Sequence, residues 1–511
     1  MLAKVLSSAV LGVDSYMVEV EVDLALGLPS FSTVGLPDAA VKESRDRVKA
    51  AIKNSGFDFP PRRITVNLAP ADIKKEGAAF DLPMAIGVLA AQSLVKPDRL
   101  SQVLVLGELA LDGMVRPIRG ALPMAVAAAK AGLEGIVLPV DNVAEAAVVK
   151  QINVYGVHSL SQTLGMLNGE LTIEPSTIDL DAAFAESSHY AIDFNDVKGQ
   201  EHAKRALEVA AAGGHNILLI GPPGSGKTML AKRLPTILPP LSLEEAIETT
   251  KIHSVCGLIP PRAPLIAVRP FRAPHHTISD AGLIGGGNVP RPGEVSLAHH
   301  GVLFLDEILE FRRNVLEVLR QPLEDGQVTI ARAIMSLTYP ASFMLAAAMN
   351  PCPCGYLTDP QRECGCSPGE VQRYLSRISG PLLDRIDIHI EVPPLRYRDM
   401  AAEAGGEPAP MIRERVRRAR ALQADRFKKS KIFCNAAMSP KQIRRHCQVG
   451  DEGQRLLETA MERLGFSARA YDRILKVART IADLVPEESI HPQHIAEAIQ
   501  YRSLDRGLRG G

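Results

Sequence analysis

The sequence predicts an α/β protein made of several domains, and three of its stretches carry this prediction. Tyr16–Leu26 alternates valine and leucine with acidic residues, which is the pattern of a half-buried β-strand. Asn216–Leu234 runs from an apolar, strand-type segment through a glycine-rich loop into an amphipathic helical segment. Between Pro440 and Arg502, four segments show the apolar spacing of helices. A chain of 511 residues exceeds one ordinary core, so we expect about two to four domains.

Residues 1–168 are predicted to form one α/β domain. Asp38 follows the turn at Gly35–Pro37 and has the residue type of a helix N-cap. The predicted strands are Tyr16–Leu26, Arg63–Leu68, Val103–Glu108, Ile136–Pro139 and Val154–Val157, and the predicted helices begin at Asp38, Leu82 and Leu122.

The glycine-rich loop has the spacing of a P-loop and stands between a strand and a helix, as that motif requires. Glycines let backbone N–H groups turn towards phosphate oxygens, and the helix N-terminus adds a partial positive charge. Lys227 is expected to reach the terminal phosphates of ATP, and the Thr228 hydroxyl is expected to hold Mg²⁺. The alternative, a chance glycine-rich turn, does not account for the flanking elements. The predicted nucleotide-binding residues are Gly221, Pro222, Pro223, Gly224, Ser225, Gly226, Lys227 and Thr228.

Two later apolar strands end in polar residues of the kind that ATP hydrolysis needs. Gly301–Leu305 is followed by Asp306 and Glu307, the pattern of a Walker-B element. Asp306 is expected to hold Mg²⁺ through water, and Glu307 to polarise the attacking water. Asn350 follows the second strand and is expected to orient that water. Two acidic residues at a strand end can also form a solvated turn, but the P-loop upstream disfavours this alternative.

This order of motifs resembles the AAA+ ATPases, in which Asn350 has the sensor position. The resemblance implies that Arg385, just before the strand Ile388–Val392, acts as an arginine finger on the neighbouring subunit's γ-phosphate, with Arg377 as a second candidate. The alternative is a surface arginine that pairs with Asp384 or Asp387.

The C-terminal helical segments resemble an AAA+ lid. The resemblance implies that Arg469 contacts the γ-phosphate as a second sensor, with Arg473, one turn further on, as the fallback. The segment Met411–Lys431 is a predicted helix with nine Lys or Arg and two acidic residues. It is either a solvated face or a contact to DNA or to a neighbouring subunit.

Two predicted insertions refine the resemblance. Ala267–Glu294 is basic and rich in proline and glycine, and long loops in compact domains are usually functional. Gly326–Tyr339 reads as a β-hairpin with Arg332 near its tip. Both resemble insertions of the AAA+ clade that holds magnesium chelatase ATPase subunits and replicative MCM helicases, where they project into or around the central pore of a ring.

The N-terminal domain resembles the Lon-type protease domain, a ribosomal S5 domain 2-like fold, at Lys75–Asp81, Leu106–Leu109 and Val115–Gly120. In that family a serine stands where Ala79 lies here, and a lysine follows the glycine turn, where this chain has Leu122–Met124. A Ser–Lys dyad cannot work without its nucleophile and its base, so we expect the fold without proteolysis. A scaffold or DNA-contact role, as in some branch-migration ATPases, and a purely structural role both stay open.

Cys352-Pro-Cys354 and Cys364-Gly-Cys366 frame a nine-residue loop. Two close pairs of thiolates can form a tetrahedral Zn²⁺ site that braces the loop after Asn350. The C-x-C spacing is less usual than C-x-x-C, and four reduced thiols without a metal are the alternative.

Over nearly its whole length the chain resembles the ComM/YifB family of magnesium-chelatase-like AAA+ ATPases. Phe271–Ser279, which reads Phe-Arg-Ala-Pro-His-His-Thr-Ile-Ser, and Asn350–Gly355 carry this resemblance together with the Lon-like segment. It implies a homo-hexameric DNA helicase that uses ATP to promote branch migration on single-stranded and branched DNA during natural transformation. A chaperone that remodels a metal chelatase is the alternative, but chelatase ATPase subunits lack the Lon-like domain and the four-cysteine loop.

Composition agrees with a reduced, cytosolic setting. Lys plus Arg and Asp plus Glu both number 58, so any DNA contact must use local patches. No apolar run has the length of a membrane span, and Met1–Leu11 lacks a convincing signal-peptide core. The seven cysteines are expected to be reduced or metal-bound. The predicted domains are 1–168 (Lon-like), 169–190 (linker), 191–395 (AAA+ core), 396–411 (linker), 412–505 (helical lid) and 506–511 (tail).

Overall fold

The computed structural model describes residues 1–187, 190–260, 263–287, 289–332, 335–394, 406–430 and 432–504. The predicted tail 506–511, most of the predicted linker 396–411 and the tip of the predicted hairpin, Ala333–Ile334, lie outside these ranges.

The described residues hold the following strands and helices. The strands are β1 (Leu2–Leu11), β2 (Asp14–Ala25), β3 (Ser30–Val34), β4 (Arg63–Ala69), β5 (Val103–Val105), β6 (Glu108–Leu109), β7 (Val115–Arg116), β8 (Gly135–Pro139), β9 (Asn153–Val157), β10 (Ile217–Ile220), β11 (Phe271–Arg272), β12 (Gly285–Gly286), β13 (Arg291–Pro292), β14 (Val302–Leu305), β15 (Gln327–Ala331), β16 (Ser336–Pro340), β17 (Met344–Met349) and β18 (Ile388–Glu391). The helices are α1 (Ala39–Asn54), α2 (Asp81–Ala91), α3 (Pro97–Leu100), α4 (Ala121–Lys130), α5 (Val143–Ala146), α6 (Leu160–Asn168), α7 (Leu180–Ser187), α8 (Glu201–Gly213), α9 (Lys227–Ile237), α10 (Leu243–Cys256), α11 (Asp280–Ile284), α12 (Glu294–Leu297), α13 (Arg313–Glu317), α14 (Arg320–Asp325), α15 (Pro368–Leu375), α16 (Gly380–Leu383), α17 (Ala409–Arg426), α18 (Pro440–His446), α19 (Asp451–Leu464), α20 (Ala468–Leu484) and α21 (Pro492–Gln500).

The chain forms two compact units. Unit 1 comprises the described residues of Met1–Ser188 and Leu243–Ala267, and unit 2 those of His189–Ser242 and Val268–Gly511. This division differs from the predicted boundaries in two ways. The segment Leu243–Ala267, which the prediction assigns to the ATPase core, packs into unit 1. The predicted lid shares one apolar core with the ATPase sheet.

Unit 1 is built on a seven-stranded sheet in the order β3-β4-β2-β1-β5-β8-β9. β1 and β2 form a long antiparallel hairpin around Gly12, whose φ of 70° suits a tight hairpin turn. From β1 outwards to β9 the neighbouring strands are parallel. The even-numbered valines of β2 are fully buried, as their alternation predicts. They lie under α2, because a Cβ on Gly87 would approach Val22 Cγ2 to 2.6 Å.

β1 and β3 are strands of this sheet that the sequence analysis did not identify. β1 escapes notice because its buried positions include Ser7 and Ser8, which break the apolar alternation. The predicted strand Val103–Glu108 is in fact two elements, since β5 ends at Val105 and β6 begins at Glu108.

Unit 1 also contains α10. A buried carboxylate holds this helix: Glu145 accepts hydrogen bonds from the Ser254 hydroxyl and from the Leu122 amide, the latter at 2.9 Å. Gly120 N donates to Ser254 O at 3.2 Å, and Lys251 pairs with Asp14. Burial raises the pKa of Glu145, while its hydrogen bonds oppose that rise.

Unit 2 is built on a five-stranded parallel sheet in the order β11-β14-β17-β10-β18. Its three central strands, β14, β17 and β10, are short and wholly apolar, as expected for parallel strands covered on both faces. α8, α17 and α20 pack over it in one apolar core that includes Leu207, Val416 and Ile474. No described helix of the protein is both long and apolar enough to cross a membrane.

Candidate functional site

Three predicted site segments meet at one edge of the unit 2 sheet. β17 lies between β10 and β14, and all three strands are parallel. The P-loop follows β10, Asn350 follows β17, and Asp306 follows β14. Carboxyl ends of parallel strands share an edge, which is where ligands bind in such sheets.

The P-loop backbone is open towards solvent. Gly224 and Gly226 have φ of 77° and 89°, and a Cβ on either would meet nothing within 4 Å. Gly221 is different, because a Cβ there would lie 2.1 Å from Val392 O, so only glycine fits. α9 begins at Lys227, which places a helix N-terminus at the loop. The open glycine positions and the helix N-terminus give the loop the geometry that phosphate binding requires.

Lys227 connects the P-loop to Asn350 through hydrogen bonds. Its ammonium donates to Gly221 O at 2.7 Å, to Pro222 O at 2.9 Å and to Asn350 Oδ1 at 3.3 Å. Burial lowers the pKa of Lys227, and the nearby carboxylates of Asp306 and Glu307 oppose this. A buried cation held by neutral carbonyls is well suited to exchange them for phosphate oxygens.

The acidic pair stands against the end of the P-loop. The Thr228 hydroxyl donates to Asp306 Oδ2 at 2.6 Å, so the two predicted Mg²⁺-binding groups are in direct contact. Glu307 is exposed, and its backbone is left-handed with φ 50°. Such a conformation is uncommon for a residue with a side chain and is frequent at functional sites. The hydroxyl–carboxylate pair and the oxygen-rich surroundings fit Mg²⁺, which binds to few protein oxygens plus substrate phosphate.

Arg385 lies at the opposite edge of the same sheet. Asn216, just before β10, donates from Nδ2 to Arg385 O at 2.8 Å and accepts from Asp387 N at 3.0 Å. The five residue steps from Asn216 to Gly221 span roughly 16 Å at about 3.3 Å per residue. The Arg385 segment is thus separated by the strand length from the P-loop of its own chain.

The Arg385 side chain is mostly buried at 12% exposure and pairs with Glu324, while Nη1 donates to Pro381 O at 2.6 Å. The surface-arginine alternative names Asp384 or Asp387 as the partner, whereas the ion pair of Arg385 described here is with Glu324. The second candidate, Arg377, pairs with Glu310 and donates to Leu309 O, in the turn that follows Glu307.

Both lid arginines lie beside the Arg385 segment. Arg469 is 71% exposed, with Nη1 at 3.7 Å from Asp384 Oδ2, and Arg473 pairs with the buried Asp387. The lid therefore presents Arg469 on the same face of the subunit as Arg385. The positive charges of Arg320, Arg469 and Arg473 add to burial in lowering the pKa of Arg385.

Two residues near the site were missed by the sequence analysis. Gln200 donates from Nε2 to Pro393 O at 2.7 Å and to Ser225 O at 3.4 Å, which connects α8 to the P-loop. His215 is fully buried between Asp387, at 3.1 Å, and Thr480 of the lid, at 2.8 Å. Gln200 has a left-handed backbone (φ 59°) at the start of α8, and no sequence pattern indicates that conformation. A single histidine before a strand, such as His215, has the same sequence pattern whether it has a functional role or is an ordinary core residue.

The two predicted insertions pack against each other. A Cβ on Gly285 would lie 2.6 Å from Ile330 Cδ1, and a Cβ on Gly286 would lie 3.2 Å from Arg332 Nη2. The Tyr339 hydroxyl donates to Pro290 O at 2.5 Å. The hairpin β15–β16 is present as expected, and the described part of the first insertion folds into α11 and the small β12–β13 hairpin.

Some basic residues of the insertions and of the lid bond to other parts of the protein, and others are exposed to solvent. Arg269 and Arg272 are bound within the protein, to backbone carbonyls and to Glu294, whereas Arg291, Arg332 and His275 are exposed. In α17 several of the arginines contact the core: Arg413, Arg415, Arg420 and Arg426 bond to Thr236 O, Glu208, Ala211 O and Asp483. The basic character of this helix therefore serves packing of the lid as well as solvation.

The four cysteines converge. Cys352, Cys354 and Cys364 have Sγ–Sγ distances of 3.3 to 3.7 Å, and the Sγ atoms of all four lie within 4.8 Å of one another. A tetrahedral zinc site with bonds of about 2.3 Å separates its sulfurs by roughly 3.8 Å. The Tyr356 amide donates to Cys354 and lowers its pKa to about 6. Burial raises the pKa of Cys352, against the Leu357 and Gly355 amides, which favour its thiolate. The sulfur set fits Zn²⁺.

Comparison with known proteins gives matches along most of the chain. The family model described as magnesium chelatase, subunit ChlI, matches residues 193–400, that of subunit ChlI of Mg-chelatase matches 20–142, and that of the ChlI C-terminal part matches 406–502. Competence protein ComM of Haemophilus influenzae is 46% identical over 512 residues, covering 99% of each chain. The uncharacterized protein YifB of Salmonella typhimurium is 44% identical over 509 residues, covering 99% of this chain and 98% of that protein. Lon protease 2 of Bacillus subtilis is 32% identical over 157 residues, covering 28% of this chain and 27% of that protein.

Proposed function

The chain belongs to the ComM/YifB family of magnesium-chelatase-like AAA+ ATPases, and we propose that it is a ring-shaped DNA motor driven by ATP. The motor would be a homo-hexamer in the cytoplasm that promotes branch migration in recombination. The name of the ComM relative supports a role in competence, that is, in natural transformation.

The proposal of a ring rests on the distance between the two groups of residues that would form the ATP site. Gly221–Thr228, Asp306, Glu307 and Asn350 lie at one edge of the sheet, while Arg385 and Arg469 lie at the other, roughly 16 Å away. Neither Arg385 nor Arg469 lies at the end of the sheet that carries the P-loop of its own chain. A neighbouring subunit that places its second edge against the first edge completes the site.

In this arrangement each residue has a stated task. Lys227 and the P-loop amides bind the β- and γ-phosphates, and Thr228 and Asp306 hold Mg²⁺, which supplies charge neutralisation on the phosphates. Glu307 accepts a proton from the attacking water, and Asn350 orients that water. Arg385 and Arg469 of one subunit act together on the γ-phosphate bound by the next. Arg385 must leave Glu324 to do so, and a phosphate offers it a stronger bidentate partner.

The exposed cations of the two insertions are the proposed DNA contacts. These cations are Arg291, Arg332 and His275. Their two insertions pack on each other, and the first of them pairs with the Walker-B strand β14. A movement at Asp306 and Glu307 would therefore be passed to both insertions. Phosphate contacts through a few local cations suit a chain with no net charge.

The test is ATP turnover with and without DNA. Single-stranded and branched DNA are both expected to raise the ATPase rate, and the protein is expected to unwind the duplex arms of branched DNA. Lys227→Ala protein should show neither effect. Equal turnover with and without both DNA forms would contradict the motor. A purified partner protein that alone stimulates turnover would instead support the alternative, a chaperone-type ATPase that remodels another protein.

We also propose that Cys352, Cys354, Cys364 and Cys366 hold one Zn²⁺. The support is the convergence of four sulfurs at distances near those of a tetrahedral site. Elemental analysis of purified protein is expected to give about one zinc per chain. Folded and active protein without zinc would contradict this assignment.

A further inference from the structure

We propose that the four-cysteine site controls ATP hydrolysis, because its loop packs on the P-loop at Gly355 and in this way holds Asn350 in position. This inference rests on the zinc assignment and on the ATPase activity proposed above, and it adds a regulatory role for the metal. It needs no DNA, so it stands or falls separately from the motor.

The first step is the contact between the cysteine loop and the P-loop. A Cβ on Gly355 would lie 2.6 Å from Pro223 Cδ, 2.9 Å from Pro223 Cγ and 3.9 Å from Asn350 Cγ. Gly355 also has φ 86°, which side chains rarely adopt. Gly355 therefore packs against the P-loop at Pro223, at a point where no side chain fits, and it lies near Asn350.

The second step is the connection from Gly355 to the sulfurs. Gly355 N donates to Cys352 O at 3.0 Å, and amides of Gly355 and Leu357 lie at the Cys352 thiol. Cys352 is fully buried, and Cys354 precedes Gly355 directly. The turn that carries Gly355 is thus part of the sulfur cage, by which we mean the loop 351–367 and the four cysteine sulfurs that close it.

The third step is the connection from the cage to the chemistry. Asn350 stands two residues before Cys352, and its Oδ1 accepts from Lys227 Nζ at 3.3 Å. The cage therefore borders the ATP site on both sides, through Asn350 along the chain and through Pro223 across space. Asn350 orients the attacking water, whereas the P-loop amides bind phosphates whether or not Asn350 is aligned.

A metal is what makes this cage stiff. Residues 351–367, all described, form turns and bends without a helix or strand, and their ends are brought together at the four sulfurs. Binding of zinc closes the loop and supplies folding free energy that four separate thiols do not have. Loss of zinc releases the turn at Gly355, and Asn350 loses its fixed position.

Three variants separate the metal from the contact. Gly355→Ala keeps all four sulfurs but drives a methyl group into Pro223. Cys354→Ser combined with Cys364→Ser removes the metal. Gly365→Ala is the matched control, since a Cβ there meets nothing within 4 Å and Gly365 lies in the same loop. The measurements are zinc per chain, the Kd of a fluorescent, non-hydrolysed ATP analogue, and the DNA-free ATPase rate at saturating ATP, with circular dichroism to confirm folding.

We expect Gly355→Ala to keep its zinc and bind the analogue within about twofold of wild type, but to lose at least about tenfold in kcat, as misplacement of a catalytic group does. The double cysteine variant should lose both zinc and kcat, and wild-type protein stripped with 1,10-phenanthroline should regain kcat when Zn²⁺ is added. Gly365→Ala should match wild type.

Several results would overturn the proposal. They are a wild-type rate in zinc-loaded Gly355→Ala protein, a wild-type rate in the zinc-free double variant, an equal loss in Gly365→Ala protein, or purified wild-type protein that is active without zinc. A kcat loss that accompanies an equal loss of analogue binding would also count against it, because a general collapse of the P-loop gives that result.

Discussion

The Asn216 side-chain amide donates a 2.8 Å hydrogen bond to the backbone carbonyl of Arg385. Asn216 directly precedes β10, the strand that leads into the P-loop, so the arginine-finger candidate is anchored at the end of this strand that is far from the P-loop. The same Asn216 accepts from Leu345 N at 2.8 Å through Oδ1, which adds the sensor strand to this anchor. The Asn216 side chain thus joins the Arg385 segment to β17 at the end of the sheet opposite the P-loop.

Loss of the phosphate-binding lysine and loss of the general base should have different effects on ATP binding and ATP turnover. Lys227→Ala should lose ATP affinity and turnover, because it removes the cation that meets the terminal phosphates. Glu307→Gln should bind ATP but lose at least about a hundredfold in kcat, because the general base is gone. Analogue binding and ATPase assays check this prediction. Glu458→Gln, at an exposed site on α19, is the control and should keep both.

The two edges of the sheet should complement each other in mixed rings. Arg385→Ala and Lys227→Ala proteins are each expected to be inactive alone. Mixed together they should recover part of the ATPase rate, since some interfaces then pair an intact P-loop with an intact arginine edge. Arg469→Ala mixed with Lys227→Ala should behave alike. No recovery at any mixing ratio would mean that these arginines act within their own subunit.

The insertions should affect DNA response and not basal turnover. Arg332→Ala removes an exposed cation at the second insertion, so DNA-stimulated ATPase should fall while the DNA-free rate stays unchanged. The apparent affinity for DNA should also depend less steeply on salt, by about one unit in the log–log slope. Arg455→Ala, an exposed cation on α19, is the matched control and should leave the DNA response intact.

His215 should make unit 2 less stable in mild acid. Burial lowers its pKa in the folded protein, although Asp387 opposes this, so the unfolded chain binds more protons below about pH 6.5. Stability is then retained above that pH and falls as the pH drops towards the folded-state pKa, by up to about 1.4 kcal/mol per pH unit. Melting temperatures at pH 7.5, 6 and 5 should fall less for His215→Gln than for wild type. His202→Gln, at an exposed site on α8, should keep the wild-type slope.

Loss of the buried Glu145 carboxylate should weaken unit 1. Glu145→Ala leaves the Leu122 amide and the Ser254 hydroxyl without their acceptor, which costs about 1–3 kcal/mol for each buried group that stays unpaired. Thermal unfolding should show the loss, and limited proteolysis should cut within residues 243–267 sooner than in wild type. The exposed Glu134→Ala is the control. Unchanged protease resistance would show that Glu145 does not hold α10.

The sequence signals of the candidate ATP site are local, which is why its segments could be predicted. The P-loop, the Asp306–Glu307 pair and the strand before Asn350 are each contiguous, and a parallel sheet brings their ends together. α19 and α20 have the bounds that their apolar spacing predicts, since both are amphipathic and capped. The hairpin of the second insertion was likewise visible in its alternation.

Other features depend on pairing between distant residues, which a sequence does not display. The strand β1 has buried serines, and only its hairpin with β2 makes it a strand. The position of Arg469 beside Asp384 depends on how the lid packs. The contact of Gly355 with Pro223 joins two turns that are about 130 residues apart in sequence, and no periodicity marks it.

The helix α10 limits how the protein can be divided. The chain leaves the ATPase unit after Ser242, contributes this helix to unit 1, and returns at Val268. A fragment that starts at His189 would expose Ala246, Thr250 and Ile252, which unit 1 buries, and a fragment that ends at Ser188 would lack a helix of its own fold. The two units therefore cannot be separated by a single cut in the chain, because a helix of unit 1 lies between two segments of unit 2.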